Sequence, residues 1–404
     1  MTKSYSLLSF DGLIDNGKES YLSSACFNGL IEIDRESDRV RMIKKFPKEN
    51  AFMYLLHHKL CKHGNKIIFT PDHAKNIHVM DMDSNDMICV DFKGGYSGAA
   101  RCIDSYVWDN RLWLFFSNRR MPVTSMDLST YEIRHYPELT ESLETIVKDE
   151  DQVIFWAELW KDRGQVYGVF YDSGYLVHID LTCRKTEIIP AVPEGKRMTG
   201  AAVAGETAYL TERDSYEVTA YSLADGNTRT YVPDHSLNLA KGTGYVYSNI
   251  VAANGKILLV PNFDNRILCI KDDRIAFFCH MPKGYRDIEE DGRNSWRRFY
   301  STQRCGNVLR LFPAKANMLL DIDLKEEKAE GRSYKMPPGW MDTEYYRDYV
   351  TPYVRESVRN AQCMYENDVV NLNDYIRVLE SDTVSLRPIP RTEQNGRVIW
   401  RLFQ

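Results

Sequence analysis

Seven polar or ionisable residues, Asp11, His58, Asp104, Glu158, Thr199, Asn249 and Tyr300, each stand six positions ahead of a turn signal. The turn residues are Gly17, Gly64, Asn110, Gly164, Gly205, Gly255 and Gly306. A histidine grouped with two carboxylates suits general acid–base chemistry, because neighbouring carboxylates push each other's pKa apart and raise that of the histidine. Two positions further back come Trp156, Arg197, Tyr247 and Arg298, and two further still Trp296. A pair of arginines suits a carboxylate or phosphate. Aromatic faces with convergent polar groups suit a sugar, a nucleotide or a polar metabolite. His58, Asp104, Glu158 and Tyr300 are therefore the candidate catalytic groups. Asn249, Arg197, Arg298, Trp156, Tyr247 and Trp296 are the candidate ligand contacts. The same residues are equally explained as the wall of a wet channel, polar without being a site.

These groups act together only if seven strands bring them to equal depth around one axis. A second repeat supplies those strands. It is an apolar stretch ending in a polar residue, at Asp34, Asp81, Asp127, Asp180, Ser222, Lys271 and Asp323. Successive copies lie 42 to 53 residues apart, and each follows its turn residue by 16 or 17 positions. Two features that hold one phase seven times define a structural repeat. The sixth unit reads as four strands: 247–253, 256–261, 266–270 and 274–279. Its Asn254-Gly255 pair is a strong hairpin signal, since both residues tolerate positive φ.

Four antiparallel strands per repeat, in seven repeats, resemble the β-propeller superfamily. The repeat length lies between those of WD40 and kelch blades, but neither signature recurs, so the resemblance is one of architecture and implies no activity. The expectation is an all-β fold, a seven-bladed β-propeller over 4–336 with a short C-terminal helical tail over 337–404. A β-sandwich array is the rival arrangement. In the tail, Thr351-Pro352 reads as a helix start, and Val354, Val358, Ala361 and Tyr365 share a helical face. These helices are expected to pack on the propeller, or else to serve as a lid or dimer contact. With the first inner strand placed at 5–11, no strand crosses the first–last junction. The ring would then close by side-chain packing or with help from the tail.

Other polar clusters fall in turns between second and third strands: Asp72-His73, Arg119-Arg120, Arg213-Asp214, Asp264-Asn265-Arg266 and Lys315. They form either a ligand rim or solvated turn charges. The charged stretch 283–295 is either a lid or an exposed loop.

A net charge of −5 disfavours general nucleic-acid binding, which needs a basic surface. The start of the chain does not read as a signal peptide, and no apolar run is long enough to span a membrane. Nine scattered cysteines without a C-x-x-C pair fit a reducing cytoplasm. No zinc, EF-hand, Walker or H-E-x-x-H pattern is present, so no metal or cofactor is expected.

Two functions follow as expectations. One is a cytoplasmic propeller that binds a small polar or anionic ligand, or a partner protein, over the funnel. The other is an enzyme, a lyase, hydrolase or isomerase, with funnel His, Asp and Glu as acid–base groups and Arg as substrate clamps. Whether the chain is an enzyme stays open at this point.

Overall fold

The computed structural model describes residues 10–25, 28–49, 55–96, 101–147, 149, 152–239, 244–285, 298–314 and 316–335. The helical tail, the stretch 286–297 with Trp296, Lys315 and the expected first strand before residue 10 lie outside the described residues.

Seven four-stranded antiparallel sheets follow one another along the chain, each built from four consecutive strands in sequence order. They are the seven expected blades, numbered I to VII here. The sixth blade runs Tyr247–Ala253, Lys256–Pro261, Arg266–Lys271 and Arg274–His280, within a residue of the sequence reading.

Both sequence repeats have a local cause. All seven turn residues between first and second strands hold positive φ, from 54° at Asn110 to 102° at Gly17. That is the conformation a tight hairpin turn requires and that glycine and asparagine tolerate. The recurring aspartate at the end of the third strand caps the next turn. Asp127 accepts from the backbone N–H groups of Ser129 and Thr130, both at 2.9 Å. Asp81 does the same one blade earlier and Asp323 four blades later, at Asp83/Ser84 and Lys325/Glu326. Blade VI has Lys271 there and turns instead through Asp272 and Asp273, both at positive φ.

The core lies between blades. Leu258, Val260 and Ile267 of blade VI pack with Leu309, Leu311 and Leu320 of blade VII in one buried cluster. Fully burying such a side chain stabilises by roughly 1.5–3 kcal/mol, and similar clusters fill the other junctions from blade I to blade VI.

Among the described residues ring closure uses no exchanged strand, because the four strands of blade I and the four of blade VII are each consecutive in the chain. Packing closes the seam, with Phe10 against Phe312 and Tyr334 at ring separations of 5.7 and 5.4 Å. Lys335 adds a short parallel bridge to Arg39, its N–H donating to Asp38 O at 2.7 Å. At the axis, the Ser301 hydroxyl donates to Asp11 O at 2.9 Å. No described helix is long and apolar enough to cross a membrane.

Candidate functional site

The site is formed by the innermost strands, and those strands are not regular. In blades II, III, V, VI and VII the first strand slips register against the second, at a β-bulge beside the ring position six before the turn. In blade II the slip falls between His57 and Leu60, so His58 and Lys59 together oppose Thr70. The Lys59 N–H donates to Thr70 Oγ1 at 3.0 Å and Thr70 donates back to Lys59 O at 2.7 Å. A bulge resets the in–out alternation of a strand and re-aims its side chains. In blades I and IV the inner strand is short, Ile14–Asp15 and Trp160–Asp162, and the ring residues Asp11 and Glu158 precede it.

The consequence is an ion-pair network across the axis. Lys59 lies 3.1 Å from Asp104 Oδ1 and also pairs with Glu158 Oε1. Lys161 of blade IV reaches the same Asp104 oxygen at 2.5 Å. Asp104 Oδ2 accepts from the Leu159 N–H at 2.7 Å. Glu158 Oε2 accepts from Asn249 Nδ2 at 3.2 Å and from Thr302 Oγ1 at 3.1 Å. Blades II, III, IV, VI and VII thus meet at two carboxylates. Beside them, His58 Nδ1 pairs with Asp11 Oδ2.

Burial and charge set the protonation states. Burial alone would raise the Asp104 carboxyl, but the Lys161 and Lys59 ammoniums outweigh it and hold the group far below the usual range. Lys59 is held above the ordinary lysine value because two carboxylates outweigh its burial. For Lys161, burial and the Lys59 charge prevail over the pull of Asp104, and its pKa falls to about 8. Asp11 is raised by burial, against the opposing effect of His58.

The expected residues divide accordingly. Asp104, Glu158 and Asn249 converge in one network, and His58 joins Asp11 next to it. Thr199 instead bonds Thr211 of its own blade at 3.0 Å. Tyr300 is half-buried. Tyr247 does not line the funnel as an open contact: it is 3% exposed, in the hydrophobic core between blades V and VI, and its hydroxyl donates to Tyr216 O at 2.8 Å. The reason is the register slip between Tyr247 and Asn249, which puts the two on opposite sides of a bulge. Trp156 lies tilted against Tyr171, with the Arg101 guanidinium 5.8 Å from its ring.

The arginines expected as clamps are inter-blade ties. Arg298 donates to Asp264 O at 2.7 Å and to Asn265 Oδ1, both in the preceding blade's second turn, and lies over the Tyr285 ring. Arg197 pairs with Asp214 at 2.9 Å and approaches Asp172 of the preceding blade at 3.9 Å. Arg101 forks onto Asp72 of blade II at 2.7 and 2.8 Å. The turn charges therefore pair mainly with protein groups: Arg213 with Asp172, Arg119 with Glu144.

Lys59, Lys161, Thr302 and Gln303 escape the sequence reading. All four lie between the ring position and the turn, five residues before it for Lys59, four for Thr302 and three for Lys161 and Gln303, nearer the turn than any of the rows counted back from it. Among the described residues no group of three or more His, Cys, Asp or Glu side chains is placed to hold a metal ion.

No family model matches the chain, and no curated protein matches it in sequence. Solved structures do match in shape. Virginiamycin B lyase from Staphylococcus aureus superposes with a TM-score of 0.50 at 10% identity, over 76% of this chain and 92% of that one. A streptogramin B lyase gives 0.51 at 12% identity, over 76% and 92%. The computationally designed Ika8 protein gives 0.51 at 9% identity, over 81% and 88%. Identities this low carry architecture and no chemistry, and with seven consecutive four-stranded blades they place the chain, by fold, among the seven-bladed β-propellers.

Proposed function

We propose that the central funnel binds a small polar ligand rich in hydrogen-bond donors, such as a sugar or a cyclic polyol. The observation that carries this is a set of buried side-chain atoms without a protein partner: Asp11 Oδ1, His58 Nε2, Asn249 Oδ1 and Gln303 Oε1. They belong to blades I, II, VI and VII, which are consecutive around the ring. The three oxygens are acceptors, and so is His58 Nε2 when Nδ1 carries the proton facing an ionised Asp11. Leaving a buried acceptor unsatisfied costs about 1–3 kcal/mol, so a donor-bearing molecule is favoured there. An anionic ligand is the weaker choice, because the arginines expected to clamp it are already engaged by protein groups, Arg197 by Asp214 and Arg298 by Asp264 O and Asn265. Seven free thiols among the described residues support a reducing compartment for this activity.

Thermal unfolding in the presence of D-glucose, myo-inositol, citrate or ADP tests the proposal. A hydroxyl-rich probe is expected to raise Tm by mass action, and Asn249→Ala to remove the rise. A rise with citrate or ADP alone, no rise at all, or a rise that survives Asn249→Ala would overturn it.

The enzyme reading is favoured by one further observation, the Asp11–His58 pair. A carboxylate on Nδ1 orients the imidazole and leaves Nε2 to take a proton from a bound hydroxyl. His58→Gln would then lower turnover of a bound ligand far more than it weakens binding, to which His58 Nε2 is one of four contributors.

A further inference from the structure

Lys59 and Lys161 aim two ammoniums at one oxygen, Asp104 Oδ1, at 3.1 and 2.5 Å. Their side chains are 18% and 13% exposed, so solvent does little to screen the repulsion. The compensation is unequal. Lys59 holds both Asp104 and Glu158, whereas Lys161 has Asp104 alone and a long contact of 3.4 Å to Ser105 O. Asp104, Glu158 and Lys59 are the charged groups that act on it. Loss of one proton from this cluster relieves the lysine–lysine repulsion, and the less compensated Lys161 is the one to lose it.

We propose that Lys161 is a reactive amine of the channel that condenses with small aldehydes or ketones to form a Schiff base. The neutral Nζ attacks the carbonyl carbon, and a C–N bond forms as the carbonyl oxygen takes up a proton. The nitrogen then gives up a proton, the hydroxyl leaves as water, and a C=N bond remains. Amine plus carbonyl becomes imine plus water, with no oxidant or reductant needed. A lysine desolvated beside another cation is a recognised route to such a nucleophile. With its pKa lowered to about 8, more of this amine is neutral at pH 7 than of an ordinary lysine. This reactivity does not depend on which ligand the His58 side of the funnel holds, so either proposal can fail without the other.

The full chain is treated with acetaldehyde and cyanoborohydride at several pH values, and initial rates are read at each lysine by peptide mass mapping. Lys161 is expected to be alkylated ahead of Lys18 and Lys328, which are 84% and 67% exposed, with a rate that climbs through pH 8. Lys161→Arg is expected to remove that adduct and leave surface labelling unchanged. An unmodified Lys161 in the wild-type chain while Lys18 and Lys328 are labelled would overturn the proposal. So would a rate that rises only above pH 10. The wild-type map decides the matter even if the variant does not fold.

Discussion

Asp104 accepts the Lys161 ammonium at 2.5 Å while its own side chain has no solvent exposure. A buried carboxylate shared by two ammoniums is costly to disturb, since removing it strands two charges in the interior. Asp104→Asn is expected to destabilise the fold by about 3–5 kcal/mol, read as a fall in the urea midpoint. Adding Lys161→Met to that variant should restore part of the loss. The pH dependence has a defined sign. The folded pKa of Asp104 lies below its unfolded value, so its contribution is full above about pH 4 and disappears as acid protonates the carboxylate. An Asp104→Asn chain as stable as the wild type would mean that the cluster contributes nothing to the fold.

The blade count was legible because it rests on backbone needs that sequence displays directly. A positive φ selects Gly or Asn at the seven turns, and a capping aspartate ends most of the third strands. The site was legible only in part, for a reason that is local. Counting by twos from Gly64 or Gly255 assumes regular alternation, and the inner strands bulge at the ring itself. Asn249 lies on the turn side of its slip and stays at the ring, and Glu158 stands ahead of a short inner strand that has no slip. Tyr247 lies beyond the slip of its strand and turns into the core between blades V and VI. Lys59 and Lys161 carry no sequence signal of their role, since a lysine on a strand is ordinarily a solvated one. Their position inside the ring follows from partners that are distant in the chain, Asp104 for both and Glu158 for Lys59.

Arg298 separates a tie from a clamp. Its guanidinium holds the preceding blade's turn through Asp264 O and Asn265, and also donates to the Tyr285 hydroxyl, beyond that blade's last strand, at 3.2 Å. Arg298→Ala is expected to cost about 1–3 kcal/mol in chemical denaturation, with Arg298→Lys recovering little because an ammonium lacks the fork. Arg197, nearly half exposed at 48%, should cost less than about 1 kcal/mol. If Arg298→Ala left stability intact and abolished binding of citrate, the clamp would be the correct role.

The seam between blades I and VII is held by polar bonds as well as packing. Arg332 donates to Asp38 and to Arg35 O, and Arg310 bridges Asp321 at 2.7 Å and Asp15 at 3.4 Å. With no exchanged strand among the described residues, the seam should be the first junction to open. Amide hydrogen exchange is expected to be faster at Val40 and Lys335 than at strand amides of the same depth in blade VI, and Asp38→Ala should widen the difference. Uniform protection around the ring would contradict this.

Between blades I and II runs a buried chain of four groups. Pro47 O can only accept, so His78 Nε2 donates to it at 3.0 Å. His78 Nδ1 then accepts from His57 Nε2 at 2.9 Å, and His57 Nδ1 accepts from Ser23 Oγ at 2.9 Å. Both imidazoles are therefore neutral. Burial drives His57 well below the ordinary histidine value, with His78 adding to it, and takes His78 down to about 4. The unfolded chain binds protons at these sites near pH 6.5 and the folded chain does not. Stability is thus full above pH 6.5 and is lost as the pH falls from there towards 4, by up to about 1.4 kcal/mol per unit for each ring. Glu49, whose carboxylate lies 3.9 Å from His78, has its pKa raised by burial and opposes part of this loss. Urea midpoints at pH 7.5, 6 and 5 should show the fall, and His78→Gln should flatten it even though that variant starts from lower stability. An unchanged slope in His78→Gln would assign the acid sensitivity to other groups.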